Sequence, residues 1–334
     1  MPTGVMTTPP EPARRPLSDR IPVVSHLKHS VGWQRAMLVV GLVLTGLFIL
    51  VAIFAPLIAP YSYAQRTVDG HDFGTLQPPN ATNLLGTTVS GFDVLSRTIW
   101  GAQTALLVII CAILFSIFIG IFVGLLSGYF GGWVDRVLVV IADAIYAFPS
   151  LLLAIVMAIV ISHGQSKLWG GILAAAISIT VVFVPQYFRV VRSEVLRVKA
   201  EPFVESAKVI GAPTLRILVR HVLRNSMRSV PVVVTLNASE AVLTLAGLGF
   251  LGFGIEATAA AEWGYDLSRS VQDVTSHIWW TAIPPGVAIV LVVLGITLVG
   301  ESLNDLSDPR LRRRRRVKVS ANDSPTDDAK GAGA

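Results

Sequence analysis

Charge and sulfur are what this chain has least of. Of its 334 residues only 14% are Asp, Glu, Lys or Arg, against about 25% in a soluble globular domain. A single cysteine, Cys111, excludes a disulfide framework and a thiolate metal site. Set inside an apolar run, it reads as an inert packing residue. No HExxH, CxxC or GxSxG pattern occurs, so the sequence carries no motif for a zinc protease, a dithiol redox centre or a serine hydrolase. No lysine directly follows a glycine, which removes the phosphate-cradling GxxxxGK[ST] loop. The reading is therefore of a chain with no catalytic residues, no metal ligands and no cofactor of its own.

What the chain has in abundance is hydrocarbon. It is 53% hydrophobic with a mean hydropathy of +0.65, and most of it belongs in lipid. Apolar runs fall at about 37–59, 102–127, 137–162, 168–188, 230–250 and 278–300. Each is near or above the ~20 residues a helix needs to cross the hydrocarbon of a bilayer. The expected fold is an all-α polytopic membrane protein with six transmembrane helices in a domain over 36–311. A Pro-rich, charged arm at 1–35 precedes it, and a basic, polar tail at 312–334 follows. No small-residue cleavage site is evident before the first run, which is expected to stay as an anchor.

Charge sets the orientation. The net charge of +6 and pI near 9.7 fit nucleic-acid binding less well than basic cytoplasmic loops. The arm carries Arg14, Arg15, Arg20, Lys28 and Arg35; the segment 189–228 holds nine Lys or Arg; the tail holds Arg310 and Arg312 to Arg316. By contrast 61–97 and 253–277 are predominantly acidic. The positive-inside rule then puts both termini and the 189–228 segment in the cytoplasm of a multi-pass plasma-membrane protein. Trp100, Trp169, Trp279 and Trp280 sit at predicted span ends, where indole rings favour the interface.

The basic segment contains the most unusual stretch, Glu201 to Asn225. Pro202 suits a first helical position, and Phe203, Val204, Ala207 and Ile210 then share a face. Gly211 supplies a left-handed stop, and Pro213 opens a second short helix. There Leu215, Leu218, Val219, Val222 and Leu223 are expected to form one stripe and Arg216, Arg220 and Arg224 another. A helix pair tethered under a bilayer is poorly placed to enter a nucleic-acid groove. The arginines suit anionic membrane lipid or a partner protein, and the small apolar face suits a helix-in-groove contact.

Within the spans, Asp143 and Glu240 are the carboxylates least expected in lipid, and such groups usually face a cavity or a partner. Both are candidates for a translocation path, Glu240 the stronger. Gly120, Gly124 and Gly128 repeat every fourth residue and continue to Gly132, a spacing for close helix packing. That packing lies either within the chain or at a seam with another subunit. Ser162-His163 reads as a solvated turn.

These residues resemble a known pattern. Glu205-Ser206-Ala207, then Gly211, then His221 through Asn225 is similar to the EAA loop of membrane subunits of ATP-driven importers, with Ser206 for the second Ala and Arg224 for the Pro. Leu85-Gly86-Thr87, Gly91 and Asp93-Val94-Leu95-Ser96-Arg97 resemble a segment of oligopeptide and dipeptide permeases, with Thr88 and Phe92 replacing charged residues. So do Ser127 to Gly132 with Asp135, Phe148-Pro149-Ser150, Gly247 to Gly254 with Trp263-Gly264, and Gly300 to Asp305 with Asp308 to Leu311.

The resemblance implies a type I ABC importer permease fold, with a coupling loop over about 200–225. In it Phe203, Glu205, Ser206, Ala207, Gly211, Arg216, Arg220 and His221 meet a cytoplasmic ATPase. It also implies a second homologous permease, two ATPase subunits holding ATP and Mg, and an extracytoplasmic solute-binding protein. Peptides are the expected cargo, with nickel or another small solute as the variant within the family. An ion-coupled secondary transporter using Glu240 and Asp143 is the rival from outside it.

Overall fold

The computed structural model describes residues 33–162 and 168–307. The arm before Trp33, His163 and the tail from Asp308 lie outside the described residues, as do the side chains of Ser162 and Trp169. The described residues up to Ser302 pack as one compact unit.

The long helices follow the apolar runs. They are α1 (Trp33–Ile58), α2 (Val94–Phe130), α3 (Gly132–Tyr146), α4 (Ser150–Ser162), α5 (Leu168–Lys199), α9 (Val230–Phe250) and α11 (Ile283–Ser307). Between α5 and α9 come α6 (Pro202–Val209), α7 (Thr214–Arg216), a π-helical segment (Ile217–Leu223) and α8 (Arg224–Ser226); α10 (Trp263–Thr275) precedes α11. The one sheet among the described residues is a two-residue hairpin, β1 (Thr67–Val68) with β2 (His71–Asp72). Among the described residues five helices are long and apolar enough to span a bilayer, or six spans if the bent pair α3 and α4 counts as one.

That pair is where the expected third span differs. The run over 137–162 is two helices meeting at 96°, because Pro149 cannot continue the α3 hydrogen-bond ladder and restricts the residue before it. The second and fourth spans are longer than their apolar runs, since the helix continues through Val94–Gly101 and through Arg189–Lys199. Hydropathy marks where lipid ends, and hydrogen bonding decides where a helix ends.

The bundle is organised around α5. Its most hydrophobic window is 72% buried, against 22–44% for the other single-helix spans, and its contact with α2 is the most extensive in the chain. Small residues make that contact close. A Cβ on Gly124 would lie 2.9 Å from the Val191 Cβ, one on Gly128 would lie 2.7 Å from a Val195 methyl, and Gly120 abuts Tyr187. The glycine series thus faces a helix of its own chain. On α1, in contrast, Val43, Leu47, Leu50, Ile53 and Leu57 are exposed, the side a hydrocarbon solvent covers.

Candidate functional site

Both ends of the bundle carry built structure. At the Phe130 end the chain turns sharply between α2 and α3. Asp135 at the start of α3 accepts from Arg192 of α5 at 2.5 and 2.7 Å and from the Ser127 hydroxyl. Lys199 donates to the Tyr129 carbonyl. Glu194 accepts from Arg197 at 2.7 Å and from the Ser229 hydroxyl at 2.8 Å. The last turns of α5 are therefore fastened to the α2–α3 corner and to the residue preceding α9. Everything between Ala200 and Arg228 hangs from those fastenings.

That hanging segment is a compact hairpin. Pro202 is the first residue of α6, and Val204 is its fully buried anchor. Gly211 has φ +81° and reverses the chain, with Ala212 N–H bonded to the Ala207 carbonyl at 3.1 Å. Pro213 sits just before α7 rather than as its first residue. The return strand is not the α-helix its periodicity suggests. Ile217–Leu223 is π-helical, and its wider turn changes which residues face inward. Ile217, Leu218 and Val222 are buried, whereas Leu215 and Val219 of the expected stripe are exposed. Arg216, Arg220 and Arg224 of the expected second stripe are all exposed.

The outward surface of the hairpin is apolar and basic at once. Val209 and Ile210 are each 84% exposed and Leu215 is 73% exposed, a degree of exposure that needs a partner or a membrane to make sense. Glu205 and Ser206 are exposed beside them and Ala207 is half-buried. Ser206 spends its hydroxyl on the Pro202 carbonyl within α6. Phe203 packs its ring on His221 with centroids 6.4 Å apart, tying α6 to the π-helical segment.

The two intramembrane carboxylates part company. Asp143 accepts from Arg189 at 2.8 Å in a pair that is about half exposed, and Arg189 lies over the Tyr146 ring at 4.2 Å. Glu240, on α9, lines a cavity of about 220 Å³ at the α3–α4 bend, together with Tyr146, Phe148, Ser150 and Gln186. The geometry brings Glu240 to the bend and leaves Asp143 beside Arg189.

Sequence reasoning missed the site at the other end. Arg97, in the first turn of α2, is 1% exposed. Its Nε donates to both carboxylate oxygens of Asp266 at 2.8 and 2.9 Å, and its Nη1 donates to the carbonyls of Tyr63 and Ala257. Phe92 lies between two guanidinium groups, Arg66 at 4.5 Å and Arg97 at 5.0 Å from its ring centre, a cation–π arrangement. Asp93 caps α2 by accepting from Ser96 N–H at 2.7 Å and also accepts from Asn83.

Glu262, 3% exposed, caps α10 by accepting from Gly264 and Tyr265 N–H, both at 2.8 Å. Burial pushes its carboxyl up to about 8, against the opposing pull of those two bonds. Gly249 of α9 leaves room for the Glu262 carboxylate, and Gly264 abuts the Ala246 backbone, which explains the glycines on both sides. Trp100 and Trp280, expected at the lipid interface, belong to this lobe. Trp100 donates to the Tyr61 carbonyl at 3.0 Å, and the Trp280 ring packs on Gly86. The available signal was an arginine at a span mouth together with an acid before Trp263-Gly264, but nothing in a linear pattern joins residues 169 apart.

Comparison with known proteins adds a second line. Residues 120–313 match the family of the binding-protein-dependent transport system inner membrane component. Residues 34–79 match the N-terminal transmembrane domain of oligopeptide transport permease C. The chain is 38% identical over 305 residues to a dipeptide transport system permease protein of Alkalihalophilus pseudofirmus, covering 91% of this chain and 96% of that one. It is 33% identical over 289 residues to an oligopeptide transport system permease protein of Bacillus subtilis, covering 84% and 90%. It is 37% identical over 268 residues to a glutathione transport system permease protein of Shigella flexneri, covering 80% and 84%.

Proposed function

The chain belongs to the inner-membrane components of binding-protein-dependent transport systems and is a permease of a peptide ABC transporter, and from that premise we propose how its two ends divide the work. The Glu201–Asn225 hairpin is the handle by which cytoplasmic ATPase subunits, which hold ATP and Mg, move the spans. A second homologous permease completes the path, and an extracytoplasmic solute-binding protein delivers peptide to the lobe around Arg97 and Glu262. Both termini are cytoplasmic on this reading, which the distribution of Lys and Arg supports.

One observation carries it. The hairpin is firmly held from within, by buried Val204, Ile217 and Val222, while Phe203, Val209, Ile210 and Leu215 face outward. A rigid element with an unsatisfied apolar face is what a motor in another polypeptide grips, and ATP energy reaches the spans only through a contact that differs between two states. Phe203, Glu205, Val209, Ile210, Leu215, Arg216 and Arg220 form the gripped face, Ala207, Ser206 and His221 stiffen it from behind, and Gly211 sets its turn. Glu240 lines the path; Asp143 acts at its rim through Arg189.

Gly211→Arg tests the handle. No atom lies within 4 Å of a Cβ at this position, but φ is +81°, so the cost is conformational, about 1–2 kcal/mol. The variant is expected to insert normally and to lose peptide uptake and stimulation of ATP hydrolysis, while Gly211→Asn, which tolerates that φ, retains both. Normal uptake by Gly211→Arg overturns the proposal.

A further inference from the structure

We propose that the Glu240 carboxylate binds the α-ammonium group of a peptide in transit, within the cavity at the α3–α4 bend. The inference rests on the importer reading and names the chemical group that reading leaves open.

The carboxylates of α3 and α5 are all matched by arginine: Asp135 by Arg192, Asp143 by Arg189, Glu194 by Arg197. Glu240 differs. Among the described residues no side chain donates to its carboxylate; the one side-chain bond at this residue runs from the Thr244 hydroxyl to its backbone carbonyl. The Gln186 amide, across the same cavity, is likewise without a partner among the described residues. An ionisable group at this depth is expensive unless it serves something that passes, and a carboxylate serves a cation.

The donor set says which kind. A divalent metal asks for several carboxylate, imidazole or thiolate ligands, and no group of three or more His, Cys, Asp or Glu able to hold one occurs among the described residues. A primary ammonium instead presents three N–H donors, and Glu240, Gln186 and Ser150 supply three acceptor side chains around one space. Beside the aliphatic Ile145, Leu153 and Val182, the rest of the wall holds two aromatic rings, Tyr146 and Phe148, and aromatic rings suit an organic cation. Tyr146 already holds the Arg189 guanidinium at 4.2 Å. At about 220 Å³ the cavity is smaller than the ~300–1,000 Å³ that encloses a drug-sized ligand. It therefore takes the amino end of a peptide and leaves the rest in the shared path.

The test uses the assembled importer with this chain as Cys111→Ala, Leu153→Cys, Leu153 being an apolar residue of the cavity wall. Modification of residue 153 is followed by mass spectrometry with 2-aminoethyl methanethiosulfonate and with its uncharged propyl analogue. Relative to their ratio on a free thiol, the cationic reagent is expected to be favoured about tenfold, an attraction of modest size for a partly hydrated charge. The preference is expected to vanish in E240Q. Ala-Ala is expected to slow the cationic reagent, and N-acetyl-Ala-Ala to leave it unchanged. Ala-Ala uptake in proteoliposomes is expected to fall about tenfold in E240Q, with partial recovery in E240D. Equal preference in the presence and absence of the carboxylate overturns the proposal. So does a preference that both peptides relieve equally or neither relieves, which leaves a carrier of protons or inorganic ions. Failure of the unmodified importer to couple ATP to uptake overturns the importer reading instead, and the labelling ratio still reports on Glu240.

Discussion

Removing the Asp266 carboxylate is expected to undo the lobe at the Val94 end while leaving the spans in place. Arg97 and Asp266 have side-chain exposures of 2% and 10%, so Asp266→Leu leaves a guanidinium buried without its counterion. Breaking a buried pair in this way costs about 3–5 kcal/mol. Arg97→Leu does the same in reverse, stranding the carboxylate, and carries a similar penalty. Added together the two changes amount to about 6–10 kcal/mol, a large part of the ~5–15 kcal/mol that holds a typical domain folded. The double variant, Arg97→Leu with Asp266→Leu, strands neither charge. It is expected to fall short of the sum by about 2–3 kcal/mol, the coupling that residues sharing one contact show.

The assay is intrinsic tryptophan emission against urea in detergent. Trp100 and Trp263 report on this lobe because their indole N–H groups donate to the Tyr61 and Thr98 carbonyls at 3.0 and 2.9 Å. Each single variant is expected to lower the midpoint markedly, and the double variant to lower it at least as far as either single but by less than their sum. If the double variant loses the full sum of the two singles, the ion pair is not what holds the lobe, and the reasoning fails.

Helix packing and the buried Glu262 each give a further expected outcome. Gly124→Val places a branched side chain 2.9 Å from the Val191 Cβ and is expected to destabilise by about 1–3 kcal/mol through overpacking. Gly46→Ala, with no atom within 4 Å, is expected to be neutral or to gain up to about 1 kcal/mol of helix propensity; comparable melting temperatures for the two variants refute the packing assignment. For Glu262 the proton is held more tightly in the folded chain, whose carboxyl titrates near 8 rather than 4.5. The stabilisation it brings is fully present below pH 4.5 and is lost as pH rises through about 8. The lobe's urea midpoint is expected to fall between pH 5 and pH 9, and to fall less in Glu262→Ala; a flat profile in the parent chain contradicts the assignment.

Much of the Glu201–Asn225 hairpin was legible because its signals are local. Pro202 fixes a φ that a helix start accepts, and Gly211 is the residue for which a positive φ carries no steric penalty, so their positions follow from the residues alone. The π-helical segment was not legible, because Ile217–Leu223 has an ordinary helical pattern. The fold decides instead that Ile217 and Val222 both turn inward. The bend between α3 and α4 was written in Phe148-Pro149, yet hydropathy averages over it and reports one run.

The sequence by itself determined that this chain lives in a membrane, roughly where its apolar helices fall, which segments are basic and where a proline and a glycine shape a short hairpin. These are properties of composition and near-neighbour spacing, and they survive without knowing what packs on what. Tertiary structure alone decided that the Gly120 to Gly128 series meets α5 of the same chain, that Arg97 is neutralised by Asp266, and that Glu240 rather than Asp143 faces a cavity without a partner. Each of those depends on which distant residue supplies a surface or a charge. A helix has several faces and a carboxylate accepts from any donor within reach, so only the packed bundle settles the pairing.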